Sequence, residues 1–86
     1  MYIHLGQNTV VKTSDIVGIF DIDNTSVSKH TKALFADFEK KKRVINVSFE
    51  IPKSFLLVKQ GDESFIYITP ISSATLKKRW SRGLKR

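Results

Sequence analysis

Apolar and polar positions along this chain change period several times, and each change marks an element. Tyr2-Ile3-His4-Leu5 reads as a short strand, Gly6-Gln7-Asn8 as a turn, and Val10-Val11 as a second extended piece. Ile16-Val17-Gly18-Ile19-Phe20 is an unbroken apolar run of strand length. It predicts a central strand buried on both faces, with Gly18 allowing close packing. Asn24, Thr25 and Ser26 are N-cap candidates, and Val27, Thr31, Leu34 and Phe38 then recur at helical spacing. The stripe predicts a helix over residues 27–42, with Lys40-Lys41-Lys42-Arg43 in its last turn, where the helix dipole favours cations.

Further on the period falls to two. Ile45, Val47 and Phe49 alternate with Asn46, Ser48 and Glu50, which predicts a strand with one wet face, ended or edged by Pro52. Phe55-Leu56-Leu57-Val58 and Phe65-Ile66-Tyr67-Ile68 flank Gln60-Gly61-Asp62-Glu63, an antiparallel hairpin signal. After Pro70, Ser72 or Ser73 can cap a short final helix in which Leu76 and Trp80 sit four apart, with Gly83 as its stop. The order of elements predicts an α+β domain: a small antiparallel β-sheet with one central helix and a short C-terminal helix.

The chain is short, 86 residues, and contains no repeat, low-complexity tract or Pro/Gly/Ser linker. One domain over residues 1–80 with a basic tail at 81–86 is the simplest parse. Cysteine is absent, which excludes disulfides, thiol catalysis and thiolate metal sites. Met1–Leu5 lacks the basic start and long apolar run of a secretory signal, and no apolar stretch reaches bilayer-spanning length. These features predict a cytoplasmic protein.

Charge changes the picture most. Fifteen Lys and Arg residues face eight Asp and Glu, for a formal net charge of +7. Residues 1–39 carry three basic and five acidic side chains, a net −2, whereas residues 40–86 carry twelve basic and three acidic, a net +9. A field so placed attracts polyanions.

Candidate catalytic chemistry is thin. Asp21-Ile22-Asp23-Asn24-Thr25 follows an apolar strand and resembles the Asp-x-Asp-x-Thr motif of haloacid dehalogenase-type phosphatases, in which two carboxylates share a magnesium ion. That chemistry needs a longer doubly wound domain, a later Lys and a further acidic pair. Only Glu50, Asp62 and Glu63 follow the helix, so the segment reads as a strand end and helix cap. His4 and His30 have no partner at metal-ligand spacing, and no nucleophile elbow or phosphate loop occurs. The sequence therefore predicts no enzyme, no catalytic residue, no metal and no cofactor.

The basic positions remain: Lys40, Lys41, Lys42 and Arg43; Lys53 and Lys59; and the terminal cluster with Lys77, Lys78, Arg79 and Arg82. Two clusters plus two lysines, almost unopposed, point to a nucleic-acid partner. No helix-turn-helix, zinc finger or RNP-type aromatic motif is present, so backbone contacts from several subunits are expected in place of an inserted reading helix. An RNA-binding module is a competing reading, as is a protein or membrane-surface adaptor using Leu76 and Trp80 as an amphipathic anchor.

Met1–Gly6, Asp15–Asp21, Pro52-Lys53-Ser54 and Ser72–Arg79, taken in order, resemble the RemA/RemB family of small bacterial regulators of extracellular matrix and biofilm genes. The resemblance spans residues 1 to about 80. It implies a DNA-binding transcriptional regulator, assembled as a ring-like homo-oligomer that presents basic residues on its rim to duplex DNA, with no membrane and no small-molecule substrate. Implied DNA contacts are basic residues just before the central strand and a basic pair before the strand over 54–58. Here those places hold Asp15 and Ile51-Pro52, leaving Lys53, ahead of Lys12, as the nearest basic substitutes. The clusters at 40–43 and 77–82 rest on charge alone, and either is also a candidate subunit interface.

Overall fold

A computed structural model describes residues 1–6, 8–22 and 29–84. The elements run β1 (Tyr2–Gly6), β2 (Thr9–Lys12), a single 3-10 turn (Thr13–Asp15), β3 (Ile16–Asp21), α1 (Lys29–Lys40), β4 (Val44–Asn46), β5 (Ser54–Gln60), β6 (Glu63–Thr69) and α2 (Ser73–Leu84). They build an α+β domain in three layers. A four-stranded sheet of order β3-β5-β6-β4 lies between α1 on one face and the β1-β2 hairpin with α2 on the other.

The β5-β6 hairpin forms as its sequence predicts, from Ser54 opposite Thr69 to Gln60 opposite Glu63. Gly61 has φ +66°, and Asp62 is not in the positive-φ region, the pattern of a type II′ turn with glycine at its first central position. Inward-facing residues of the sheet meet the small hairpin and α2 in one core. Leu56, Val58 and Tyr67 pack with Ile3, Leu5, Val11, Ile16, Ile19, Val47 and Leu76. Thr69, fully buried, ties the layers together: its hydroxyl donates to the Leu5 carbonyl and accepts the Ile71 N–H at 3.2 Å.

Several expectations are corrected. The apolar run at 16–20 forms an edge strand, not a central one; β5 is central, and Val17 on β3 is 58% exposed. Pairing slips between Ile16 and Gly18, so the run does not present every second residue to the same neighbour. Gly18 does admit close packing, since a Cβ there would lie 2.8 Å from the Phe20 ring. The sheet is also mixed rather than wholly antiparallel, because β4 runs parallel to β6.

The strand expected over 45–50 stops at Asn46. Val47 still donates to the Ile68 carbonyl, but the next rung would need an N–H from Pro70, which has none. The chain leaves the sheet there, and Phe49 and Ile51 stand in solvent at 106% and 84% exposure.

The helix face is rotated relative to the predicted stripe. Leu34 faces outward, and Phe35 packs edge-on against Phe55 with ring centroids 4.9 Å apart, while Phe55 stacks on Phe20 at 5.0 Å. Thr31 and Phe38 are half-buried as expected. The cap candidates Asn24, Thr25 and Ser26, and Val27, lie outside the described residues. The C-terminus of α1 is a Schellman motif: Arg43 N–H donates to Phe38 O at 2.8 Å, Lys42 N–H to Glu39 O at 3.0 Å, and Lys42 has φ +58°.

Ser72, not Ser73, caps α2, its hydroxyl accepting the Thr75 N–H at 3.3 Å. The helix continues through Gly83 to Leu84 rather than stopping at the glycine.

Candidate nucleic-acid interface

Helix α2 contains four cations, Lys77, Lys78, Arg79 and Arg82, and no acid. Its orientation is set from below. Leu76 is completely buried, and Trp80 is half-buried against the core with its indole N–H donating to the Thr13 carbonyl at 3.1 Å. With those side chains turned inward, all four cations are exposed. Among the described residues none of the four has an ion-pair partner; Arg79 makes one long contact, 3.4 Å, to the His4 carbonyl. Lys12, exposed at the end of β2, directly precedes the turn on which Trp80 docks.

The cluster after α1 differs in kind. Lys41 lies 3.1 Å from Asp37, one helical turn back, and Arg43 lies 3.3 Å from Glu63 on β6. Lys40 and Lys42 carry no ion pair among the described residues. Half of this cluster is thus engaged with its own acids, and its charge also serves the helix end.

Lys53 stands apart from that cluster. Its N–H donates to the Thr69 carbonyl at the C-terminal end of β6, whereas Arg43 reaches Glu63 at the other end. At the rise of a strand those ends are about 20 Å apart. Lys59 lies at the Arg43 end, near the β5-β6 turn. The structure therefore gathers the sequence-predicted cations into an α2 face flanked by Lys12, a partly neutralised cluster at the end of α1, and a separate Lys53.

The implied position before β5 is occupied by a loop of different chemistry. Ser48 Oγ accepts the Glu50 N–H at 3.1 Å and donates to the Glu50 carboxylate at 3.4 Å, fixing a turn that carries Phe49 outward. The alternation over 45–50 predicts Phe49 on the dry face of a strand; the strand ends sooner because Pro70, directly after the neighbouring β6, has no N–H to give, which only the β4-β6 pairing reveals.

Asp21 accepts a hydrogen bond from Ser73 Oγ at 3.4 Å, so the strand-end carboxylate is turned to the start of α2; Asp23 and Thr25 lie outside the described residues. Among the described residues no three His, Cys, Asp or Glu side chains gather to hold a metal ion. No helix among them is long and apolar enough to cross a membrane. Leu76, the first residue of the amphipathic-anchor reading, is buried in the core, and Trp80, the second, is half-buried against it with its indole N–H on Thr13.

Fold and surface together define a small α+β domain that holds a cation-bearing helix over its core. The family model described as RemA-like, Extracellular matrix regulatory protein A-like, matches residues 2–80, and the chain belongs to this family. It is 42% identical over 81 residues to Extracellular matrix regulatory protein B of Bacillus subtilis (strain 168), covering 92% of this chain and 89% of that protein.

Proposed function

We propose that this protein is a cytoplasmic, non-enzymatic transcription regulator of extracellular matrix and biofilm genes that binds duplex DNA as a homo-oligomer. The observation that carries the reading is the α2 face, where Lys77, Lys78, Arg79 and Arg82 stand exposed and without acidic partners above a buried Leu76. Cations not already paired are free to displace counterions from phosphates, which is the main source of sequence-independent affinity for DNA. The regulatory description of the family supplies the context.

Contact through one helix face reads shape and charge more than bases, so several copies held together gain the avidity that one copy lacks. Open edges at β3 and β4 and the exposed Phe49 and Ile51 favour such self-association. Metals, cofactors, membranes and small-molecule substrates have no part in this reading.

A gel-shift titration against long duplex DNA over a range of salt concentrations tests it. Affinity should fall steeply with salt, by about 0.9 log units per log unit of salt for each phosphate contacted. Absence of binding at low salt, or affinity indifferent to salt, would overturn the DNA reading; matched RNA winning in competition would redirect it to RNA.

A further inference from the structure

Between β1 and the outer face of α2 lies an open cleft of about 460 Å³ lined by Met1, Tyr2, Ile3, His4, Arg79 and Arg82. Tyr2 and His4 are two residues apart on one strand, so both point away from the core while Ile3 between them is buried. Arg79 and Arg82 are three apart on one helix and so share a face. The cleft thus has a guanidinium wall and a phenol-imidazole wall, and among the described residues no acidic side chain lines it.

The Arg79 guanidinium is already aimed. Its Nη1 donates to the His4 carbonyl at 3.4 Å, which leaves its other N–H donors free. Neither arginine has an ion-pair partner among the described residues. Planar guanidiniums grip tetrahedral oxyanions through paired N–H donors, which a lysine ammonium cannot reproduce.

We propose that this seam is a phosphate-binding site, with Arg79 and Arg82 holding the phosphate oxygens and Tyr2 and His4 offering further hydrogen-bond donors from the opposite wall. Its ligand is a phosphate group, carried either by the DNA backbone or by a free phosphorylated molecule. The site rests on the DNA reading only for the first of these sources. Lys77 and Lys78 lie outside the cleft and take no part in holding the phosphate bound there.

Isothermal titration calorimetry of the full chain with inorganic phosphate, a nucleoside 5′-monophosphate and a short duplex tests the site. The wild type should bind at least one of the three saturably, and the R79K/R82K double variant, which keeps every charge, should bind that probe about tenfold more weakly. K77A/K78A should bind the two small probes as the wild type does. Saturation by a small probe identifies a free phosphorylated ligand; saturation by the duplex alone identifies the backbone. If no probe saturates, or R79K/R82K binds as tightly as the wild type, the site is overturned. Saturation by the duplex alone, undiminished in R79K/R82K, would sink the site and leave the DNA reading standing. A wild type that takes small phosphates but no duplex would do the reverse.

Discussion

The indole N–H of Trp80 donates to the carbonyl oxygen of Thr13 at 3.1 Å, joining the C-terminal helix to the turn before β3 across 67 residues of chain. Thr13 also donates its own N–H to the Met1 carbonyl at 3.0 Å, so one buried residue fastens the hairpin and α2 together. The outward direction of the α2 cations follows from this fastening. Trp80→Phe keeps most of the packing but removes the donor, leaving a carbonyl of a buried residue without that partner. It should cost about 1–2 kcal/mol in denaturant unfolding, with the slope unchanged.

Thr69 makes a sharper test of the same interlayer connection. Its hydroxyl both donates to Leu5 and accepts from Ile71 in a place closed to water. Thr69→Val preserves volume and shape but strands two backbone groups. A loss of about 2–3 kcal/mol is expected, measured as a lowered denaturant midpoint, while Thr69→Ser should recover most of it.

Lys42 occupies the left-handed position that ends α1, at φ +58°, where a side chain costs what glycine does not. Lys42→Gly should raise stability by about 1 kcal/mol even though a cation is lost from the cluster. A midpoint that falls would mean that the lysine makes a stabilising contact outweighing its backbone strain.

Local chemistry was legible in the sequence and its tertiary consequences were not. Gly61 announced the β5-β6 turn because the turn itself demands positive φ there. An apolar run such as 16–20 looks the same at the edge of a sheet as at its centre; only the partner order separates them. Leu34 and Phe35 differ by one helical step, and the choice between them is made by Phe55, twenty residues on and in another layer. The cations were found as residues but not as a surface. Lys41 with Asp37 is visible as a spacing of four, whereas Arg43 with Glu63 depends on β4 lying beside β6. Phe49 was misassigned because its alternation continues past the point where Pro70 removes the ladder's donor.

Phe49 and Ile51 contribute little to the fold of one chain, being exposed at 106% and 84% on a loop held by Ser48 and Glu50. The F49S/I51T double variant should change unfolding free energy by no more than about 0.5 kcal/mol at concentrations where the chain is monomeric. If copies of the chain associate as proposed, the same variant should lower the mass measured by light scattering, because two large apolar side chains in water are the loop's main gain from contact. A mass equal to that of the wild type would place the contact between copies elsewhere, with the open β3 and β4 edges the next surfaces to test.

The paired and unpaired cations predict two different responses to salt. Removing any cation weakens the overall field, but only a side chain that touches a phosphate contributes to the slope of affinity against salt. K77A/K78A removes two unpaired cations from α2 and should reduce that slope by nearly two units while lowering affinity at every salt concentration. K41A/R43A removes two cations already held by Asp37 and Glu63 at 3.1 and 3.3 Å, so it should change affinity only slightly at every salt concentration and leave the slope almost as it was. The two double variants change net charge equally, which makes bulk charge the same in both. Parallel gel-shift titrations of the pair against one duplex measure the difference. Equal loss of slope in both would mean that Lys41 and Arg43 exchange their acidic partners for phosphates on binding; loss in K41A/R43A alone would move the DNA-facing surface from α2 to the end of α1.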